Sequence, residues 1–197
     1  MTRAESMRVM RPLFQAEEGG STPTSALQLF FSTTNRNTFR ELNKAWHSRL
    51  PEIGASQGRA YYVAEHAGVA HAVAMWSNPV ARLLPQQTWL ELRRLAICSD
   101  APKNTASRFI SWMVRDIRRS FPDVEKLISY QDCEVHVGTI YKASWWIPSP
   151  GYVGRKRGWE ASNGGGCKRS GRTNQAVAVR MRWELDVKSL KRLEQGR

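Results

Sequence analysis

A chain of 197 residues is long enough for one domain with a hydrophobic core, and 30 Lys+Arg against 17 Asp+Glu leave it a formal net charge of +13. Such an imbalance favours polyanionic partners, nucleic acid first among them. The cysteines, Cys98, Cys133 and Cys167, are three in number and form no CxxC pair. That spacing argues against a structural zinc site, and an odd, sparse set suits a reducing cytoplasm. The N-terminal stretch has charge without a signal-peptide apolar core, and no run is apolar over the length of a membrane span.

In chain order, residues 1–25 mix charges with Gly19-Gly20, Ser21 and Pro23 and read as a flexible lead-in, with at most a short strand over Val9–Phe14. Leu27–Ser32 is the first secure strand. Ser32-Thr33-Thr34-Asn35 supplies capping residues for a helix running to about Leu50, and Phe39, Leu42, Trp46 and Leu50 recur at helical spacing along its buried face. Pro51 ends it. Ala60–Trp76 reads as a hairpin turning at Glu65–Gly68, where His66 is expected to be solvated. His71 in the second arm reads as a packing residue, and neither histidine has a partner at metal-ligand spacing in sequence. Tyr61 and Tyr62 point to opposite faces, so that one lines a cleft while the other packs.

The stretch Trp89–Trp146 organises the rest. It reads as a strand (Trp89–Ile97), a polar loop (Cys98–Lys103), a helix (Thr105–Ser120), a second strand (Val124–Tyr130) and a shorter helix (Val137–Trp145). Two neighbouring strands, each handing over to a helix, bring loop amides and helix N-termini to one sheet edge, where α/β proteins place ligands. Arg93 and Arg94 on the first strand either pair with Glu91 or face an anionic ligand. Ser107 offers a hydroxyl to the cleft or serves the helix's first turn. Phe109, Met113 and Ile117 form the helix's core stripe. Asp132, at the end of the second strand, suits a general base, a metal ligand or a helix cap, with His136 near enough in sequence to orient it.

After Pro148 the composition turns basic and glycine-rich. An insert over 155–174 contains Arg155, Lys156, Arg157, Lys168, Arg169 and Arg172, and reads as a mobile flap over a phosphate backbone. Gln175–Asp186 alternates strongly and reads as a closing strand, and 187–197 is a charged tail.

Leu92–Ile97, Ala106–Phe109, Ile128–Asp132 and His136–Trp145 together carry a resemblance. The second half of the chain resembles an acyltransferase of the GCN5-related (GNAT) superfamily, and more narrowly the Mom-type DNA-modification proteins of Mu-like phages, over roughly residues 25–155. The resemblance implies an α/β (α+β) fold over 26–186: a GNAT-like mixed, mostly antiparallel central sheet, splayed between two parallel strands and flanked by helices. It implies a phage transferase, working in the host cell's cytoplasm, that converts adenine in double-stranded DNA to N6-carbamoylmethyl (acetamido) adenine and so shields phage DNA from restriction.

The same resemblance assigns roles. Tyr141 corresponds to a general acid toward a leaving thiolate, the plain alternative being a packed tyrosine. His47 corresponds to a histidine facing the active site, although Ser48 stands where an aromatic residue often follows. Cys98–Ser107 stands where the superfamily wraps the pyrophosphate of acyl-coenzyme A. Ala96, Ile97, Asn104 and Ser107 are then the cofactor contacts, although the usual loop glycines are missing. Asp132 joins Tyr141, His47 and Ser107 as a catalytic candidate. Tyr61, Trp76, Trp145 and Trp146 are candidates to stack on an everted base. The family's association with iron makes His47 and Asp132 candidate ligands, while the donor, acyl or glycyl, stays open. The alternatives are an acetyl-coenzyme A-dependent N-acetyltransferase acting on a protein or small amine, and a non-enzymatic DNA architectural protein.

Overall fold

In the computed structural model, which describes residues 22–48, 50–53, 58–134, 136–150 and 179–188, the chain enters its first strand through a capped turn. The Ser25 side chain accepts from the Leu27 amide, and the Gln28 side chain reaches back to the Ser25 amide at 3.0 Å. This reciprocal box winds Ala26–Gln28 into a single 3-10 turn, so β1 spans Phe30–Thr33 and starts later than the apolar run predicts.

Helix α1 spans Arg36–Trp46, its Asn35 cap accepting from the Thr38 amide at 2.9 Å. It stops short of the expected Leu50. The fully buried Asn43 side chain donates to the carbonyls of Leu50 (3.0 Å) and Pro51 (2.9 Å), drawing the chain back across the helix end. His47 is therefore the C-terminal cap of α1.

Strands β2 (Ala60–His66) and β3 (Val69–Ser77) form the expected hairpin. Both turn residues, Ala67 (φ 47°) and Gly68 (φ 79°), are left-handed, the geometry that matches the twist of the flanking strands. The expectation of a solvated His66 is corrected: it closes β2, is only 5% exposed, and places Nδ1 3.2 Å from the Gln28 carbonyl oxygen.

Strand β4 (Trp89–Ile97) leads into α2 (Thr105–Ser120), and α2 returns to β5 (Lys126–Asp132). β4 and β5 pair in parallel over four rungs, from Trp89↔Lys126 to Leu92↔Ser129, and then run on to Ile97 and Asp132 without pairing with each other. α3 is one turn, Thr139–Lys142, shorter than the predicted Val137–Trp145 because left-handed residues bracket it, Gly138 at φ 76° and Trp145 at φ 64°. β6 (Ile147–Pro148) and β7 (Arg180–Asp186) complete a sheet of seven described strands in the order β1-β2-β3-β4-β5-β7-β6. All pairs except β4–β5 are antiparallel.

The two sheet faces carry separate cores. On one, Phe39 of α1 and Ile53 pack over Val63, Val73, Met75 and Ala96. On the other, Phe109, Ile110, Met113 and Ile117 of α2 pack over Phe31, Tyr62, Trp76, Leu90 and Leu92, and Tyr141 and Trp146 extend this second cluster. Each such side chain, taken from water into a packed core, contributes roughly 1.5–3 kcal/mol. Among the described residues no helix is long and apolar enough to cross a membrane.

Candidate active site

The last β4–β5 rung, Leu92↔Ser129, is the vertex of the gap between the diverging strands. Ser129 is buried there, its Oγ donating to the Leu92 carbonyl at 3.4 Å and lying 2.9 Å from the Tyr141 hydroxyl. In this arrangement the phenol is the donor to Ser129. The Tyr141 ring is 5.3 Å from the Trp183 ring at 13°, a stack, and meets Trp146 edge-on at 5.8 Å. Burial raises the phenol above its ordinary range, and the Ser129 bond offsets only part of that. Tyr141 therefore holds its proton at neutral pH, as a proton donor must.

Gly138 sets how closely α3 approaches the sheet. A Cβ there would lie 2.6 Å from Gln131 Oε1 and 2.6 Å from Trp183 Cζ2, on a backbone already left-handed. Trp183 Nε1 donates to Gln131 Oε1 at 2.7 Å, and the Gln131 amide nitrogen donates to the His136 carbonyl. β7, β5 and the α3 entry loop are thereby bound into one wall.

Beside this wall a cavity of about 230 Å³ is lined by Ile97, Asn104, Thr105, Ser107, Ile140 and Ala143 among others. Asn104 occupies the N-cap position of α2 in the left-handed region (φ 67°, ψ 5°) and makes no side-chain cap. Its backbone supplies the conformation that a loop glycine would, while the Thr105 amide donates to the Pro102 carbonyl at 3.3 Å. Ser107 lines the same cavity while its Oγ donates to the Asn104 carbonyl at 3.2 Å, so it also performs the ordinary first-turn role. Of the predicted cofactor contacts Ala96 stands apart, its side chain in the core on the α1 face.

Residues 60–157 match the model of the Mom protein family. The chain belongs to that family. A search of curated proteins finds no match. Among solved structures, this Mom-family chain is similar to spermidine/spermine N-acetyltransferase from Vibrio cholerae in complex with manganese ions (TM-score 0.56, 12% identity, 85% of this chain and 98% of that chain). It is also similar to spermidine N-acetyltransferase from Vibrio cholerae in complex with coenzyme A and spermine (TM-score 0.53, 11% identity, 82% and 96%). A third similar structure is the Bacillus subtilis acetyltransferase in complex with coenzyme A (TM-score 0.54, 9% identity, 81% and 97%). At these identities the likeness is one of fold, and the fold is GNAT-like.

On the α1 face the Mom-family chain gathers basic side chains. His47 has a pKa below its ordinary value, first through burial and then through the nearby charges of Arg94 and His136. Its Nδ1 accepts from the Leu50 amide at 3.3 Å, which leaves the neutral ring with its proton on Nε2. Arg93 pairs with the buried Glu91 at 3.5 Å, as one of its two readings expects. Among the described residues Arg94 makes no such ion pair: its Nη1 donates to the Arg93 carbonyl, and its buried Nε has no hydrogen-bond partner there. Burial and then Arg93 lower its pKa to about 10.

Asp132 lies an odd number of residues from Ser129, and so on the opposite face of β5 from Ser129 and Gln131. Its Oδ1 accepts from the Glu134 amide at 3.0 Å, a capped turn, and its carbonyl accepts from the His136 amide at 3.0 Å. Tyr141 and Asp132 thus lie on opposite faces of the sheet. Tyr61 is tied down, its hydroxyl accepting from the Gly58 amide at 2.7 Å and its ring 5.4 Å from Phe39.

The donors around His47 do not fit an iron ion. A metal would need the Nε2 lone pair, whereas the Leu50 amide favours the tautomer with hydrogen there. Among the described residues, His47 and Asp132 also join no group of three His, Cys, Asp or Glu side chains with converging ligand atoms.

Other expectations are corrected. Trp76 and Trp146 are 0% and 3% exposed and belong to the core, so neither offers a face to a base; Trp145, at 82%, does. His71 is fully buried, in keeping with its reading as a packing residue, and Cys98 and Asp100, distant from it in sequence, lie near it in space. Arg155, Lys156, Arg157, Lys168, Arg169 and Arg172 lie outside the described residues, as do Val9–Phe14 and most of the charged tail. Sequence reasoning missed Ser129 as the partner of Tyr141. The available signal was a serine in an otherwise apolar strand segment, Leu127-Ile128-Ser129.

Proposed function

We propose that this chain is a DNA-modifying transferase that builds a new bond on the exocyclic amine of adenine, giving N6-carbamoylmethyl (acetamido) adenine and protecting phage DNA from restriction. The observation that carries the reading is the Tyr141–Ser129 pair at the vertex of the β4–β5 gap, in a chain of the Mom family. On one side of that vertex is the cavity at the α2 N-terminus, suited to the anionic part of a donor through Ile97, Asn104 and Ser107. On the other are His47, Arg94 and Asp132.

The net charge of +13 suits a phosphate backbone, and the resulting affinity falls as salt rises. The target base must leave the stack, because its amine is paired inside the duplex. That amine is a weak nucleophile, its lone pair being delocalised into the ring. Asp132 accepts the proton it loses as the bond to the donor carbon forms, and Tyr141 supplies a proton to the departing group. Arg94 balances negative charge developing in the gap.

The test is expression in bacteria followed by nucleoside mass spectrometry of the cellular DNA. The expected result is an adenosine adduct that disappears in Asp132→Ala and Tyr141→Phe, its mass deciding between acyl and glycyl donors. Unmodified DNA from folded, soluble protein would overturn the reading.

A second reading is favoured by the cavity and by the fold: an acetyl-coenzyme A-dependent N-acetyltransferase acting on a protein or small amine. The cationic balance disfavours polyamines as its substrate, since like charges repel. Calorimetry with acetyl-coenzyme A separates the two, tight binding without any DNA adduct supporting the second.

A further inference from the structure

We propose that His71, Cys98 and Asp100 form a binding site for a divalent cation of the zinc class, which ties the loop after β4 to strand β3. The three ligand atoms lie within 4.8 Å of one another, a spread that one ion can span. His71 is 0% exposed, and neither of its ring nitrogens has a hydrogen-bond partner among the described residues. A buried imidazole left unbonded is costly, and a cation on one nitrogen would remove that cost. His71 Nδ1 already points toward the loop, 3.7 Å from Asp100 Oδ1.

Cys98 is held in place by its backbone, its amide donating to the His71 carbonyl at 2.9 Å, and its thiol bonds the Asp100 carboxylate. The Asp100 side chain is 51% exposed, which provides an entry path. One imidazole nitrogen, one thiolate and one carboxylate oxygen make a set that zinc accepts and that calcium and magnesium, which prefer oxygen cages, do not. Binding exchanges the Cys98 thiol proton, released to solvent, for a sulfur–metal bond. Three protein ligands leave a fourth position for water or a substrate atom. The site also neutralises Asp100, which otherwise places a negative charge at the root of the loop whose later residues, Asn104–Ser107, line the cavity. Sequence spacing could not reveal the site, because His71 comes from a different strand.

The test uses the full chain, stripped with a chelator and titrated with cobalt(II) as a spectroscopic probe and with zinc(II) in a calorimeter. The expected result is one equivalent of cobalt, with thiolate-to-cobalt absorption in the near ultraviolet, displaced by zinc. Cys98→Ser abolishes that absorption, and a Cys133→Ser, Cys167→Ser double variant keeps it. Asp100→Asn, on an exposed loop residue that the fold tolerates, weakens binding by at least the roughly 10–100-fold that loss of an outer-shell partner costs. Absence of the thiolate band, its survival in Cys98→Ser, or unchanged affinity in Asp100→Asn would overturn the proposal, leaving a plain His71–Asp100 ion pair. Should Cys98→Ser fail to fold, the Asp100→Asn affinity decides.

Discussion

The hydroxyl of Tyr141 lies 2.9 Å from that of Ser129, at the last rung the parallel strands share. Removing it in Tyr141→Phe should cost about 1 kcal/mol of stability, the usual net worth of one hydrogen bond, since the ring keeps its stack on Trp183. Modification should fall by roughly 100-fold or more, the scale of a lost general acid. Urea denaturation and nucleoside analysis, run on the same preparation, check both halves. A loss of activity matched by unfolding would reduce Tyr141 to a packing residue.

Arg94 offers the opposite separation. Its guanidinium is partly buried and, among the described residues, forms no ion pair with a carboxylate, so Arg94→Met should leave the melting temperature unchanged or higher while DNA modification drops. Thermal unfolding and adduct yield measure the two. A strongly destabilised variant would show that the charge has a structural partner.

The pH dependence follows from His47. Its folded pKa lies below the ordinary 6.5, so the unfolded chain binds the proton more readily. Stability from this group is fully present above the unfolded value, and is lost as pH falls below it until the folded value is passed. His47→Gln should flatten that part of the stability–pH curve, which denaturant midpoints at several pH values would trace.

Gly138→Ala should destabilise the chain by about 1–3 kcal/mol, because the new methyl meets Gln131 and Trp183 at 2.6 Å on a left-handed backbone. Denaturant unfolding tests it, and near-ultraviolet circular dichroism of the Trp183–Tyr141 stack should weaken with it. A midpoint equal to wild type would mean that the α3 entry is looser than described.

Trp145 is 82% exposed, and Trp145→Ala should stay within about 0.5 kcal/mol of wild-type stability. If the ring stacks on an everted base, affinity for DNA containing a flipped or unpaired adenine should fall by roughly 1–3 kcal/mol, read by fluorescence anisotropy. Equal affinities would remove Trp145 from the binding surface.

The pattern of apolar residues made much of the fold legible. Trp89–Ile97 and Thr105–Ser120 have the predicted bounds, because a half-buried strand and an amphipathic helix each write their period into the sequence. Other bounds moved where a polar side chain acts across several residues. Asn43 ended α1 early through two carbonyls, and the Ser25–Gln28 box delayed β1. Within the site, Tyr141 stood out by motif, whereas Ser129 comes to it from the preceding strand and Trp183 from one distant in sequence. Asn104 stands in the loop where the usual glycines are missing, and its backbone takes the left-handed conformation that one of them would. His71 illustrates the same limit, since its neighbours Cys98 and Asp100 become visible only once β3 and β4 are paired.

β7 runs between β5 and β6, and its Trp183 supplies the surface on which Tyr141 rests. A ribosome that has released only the first 150 residues has therefore already delivered the phenol, the serine, the histidine and the aspartate, yet not the indole on which the phenol rests. The centre is complete only late in translation, and premature termination anywhere before Trp183 yields a protein whose Tyr141 lacks its stacking partner.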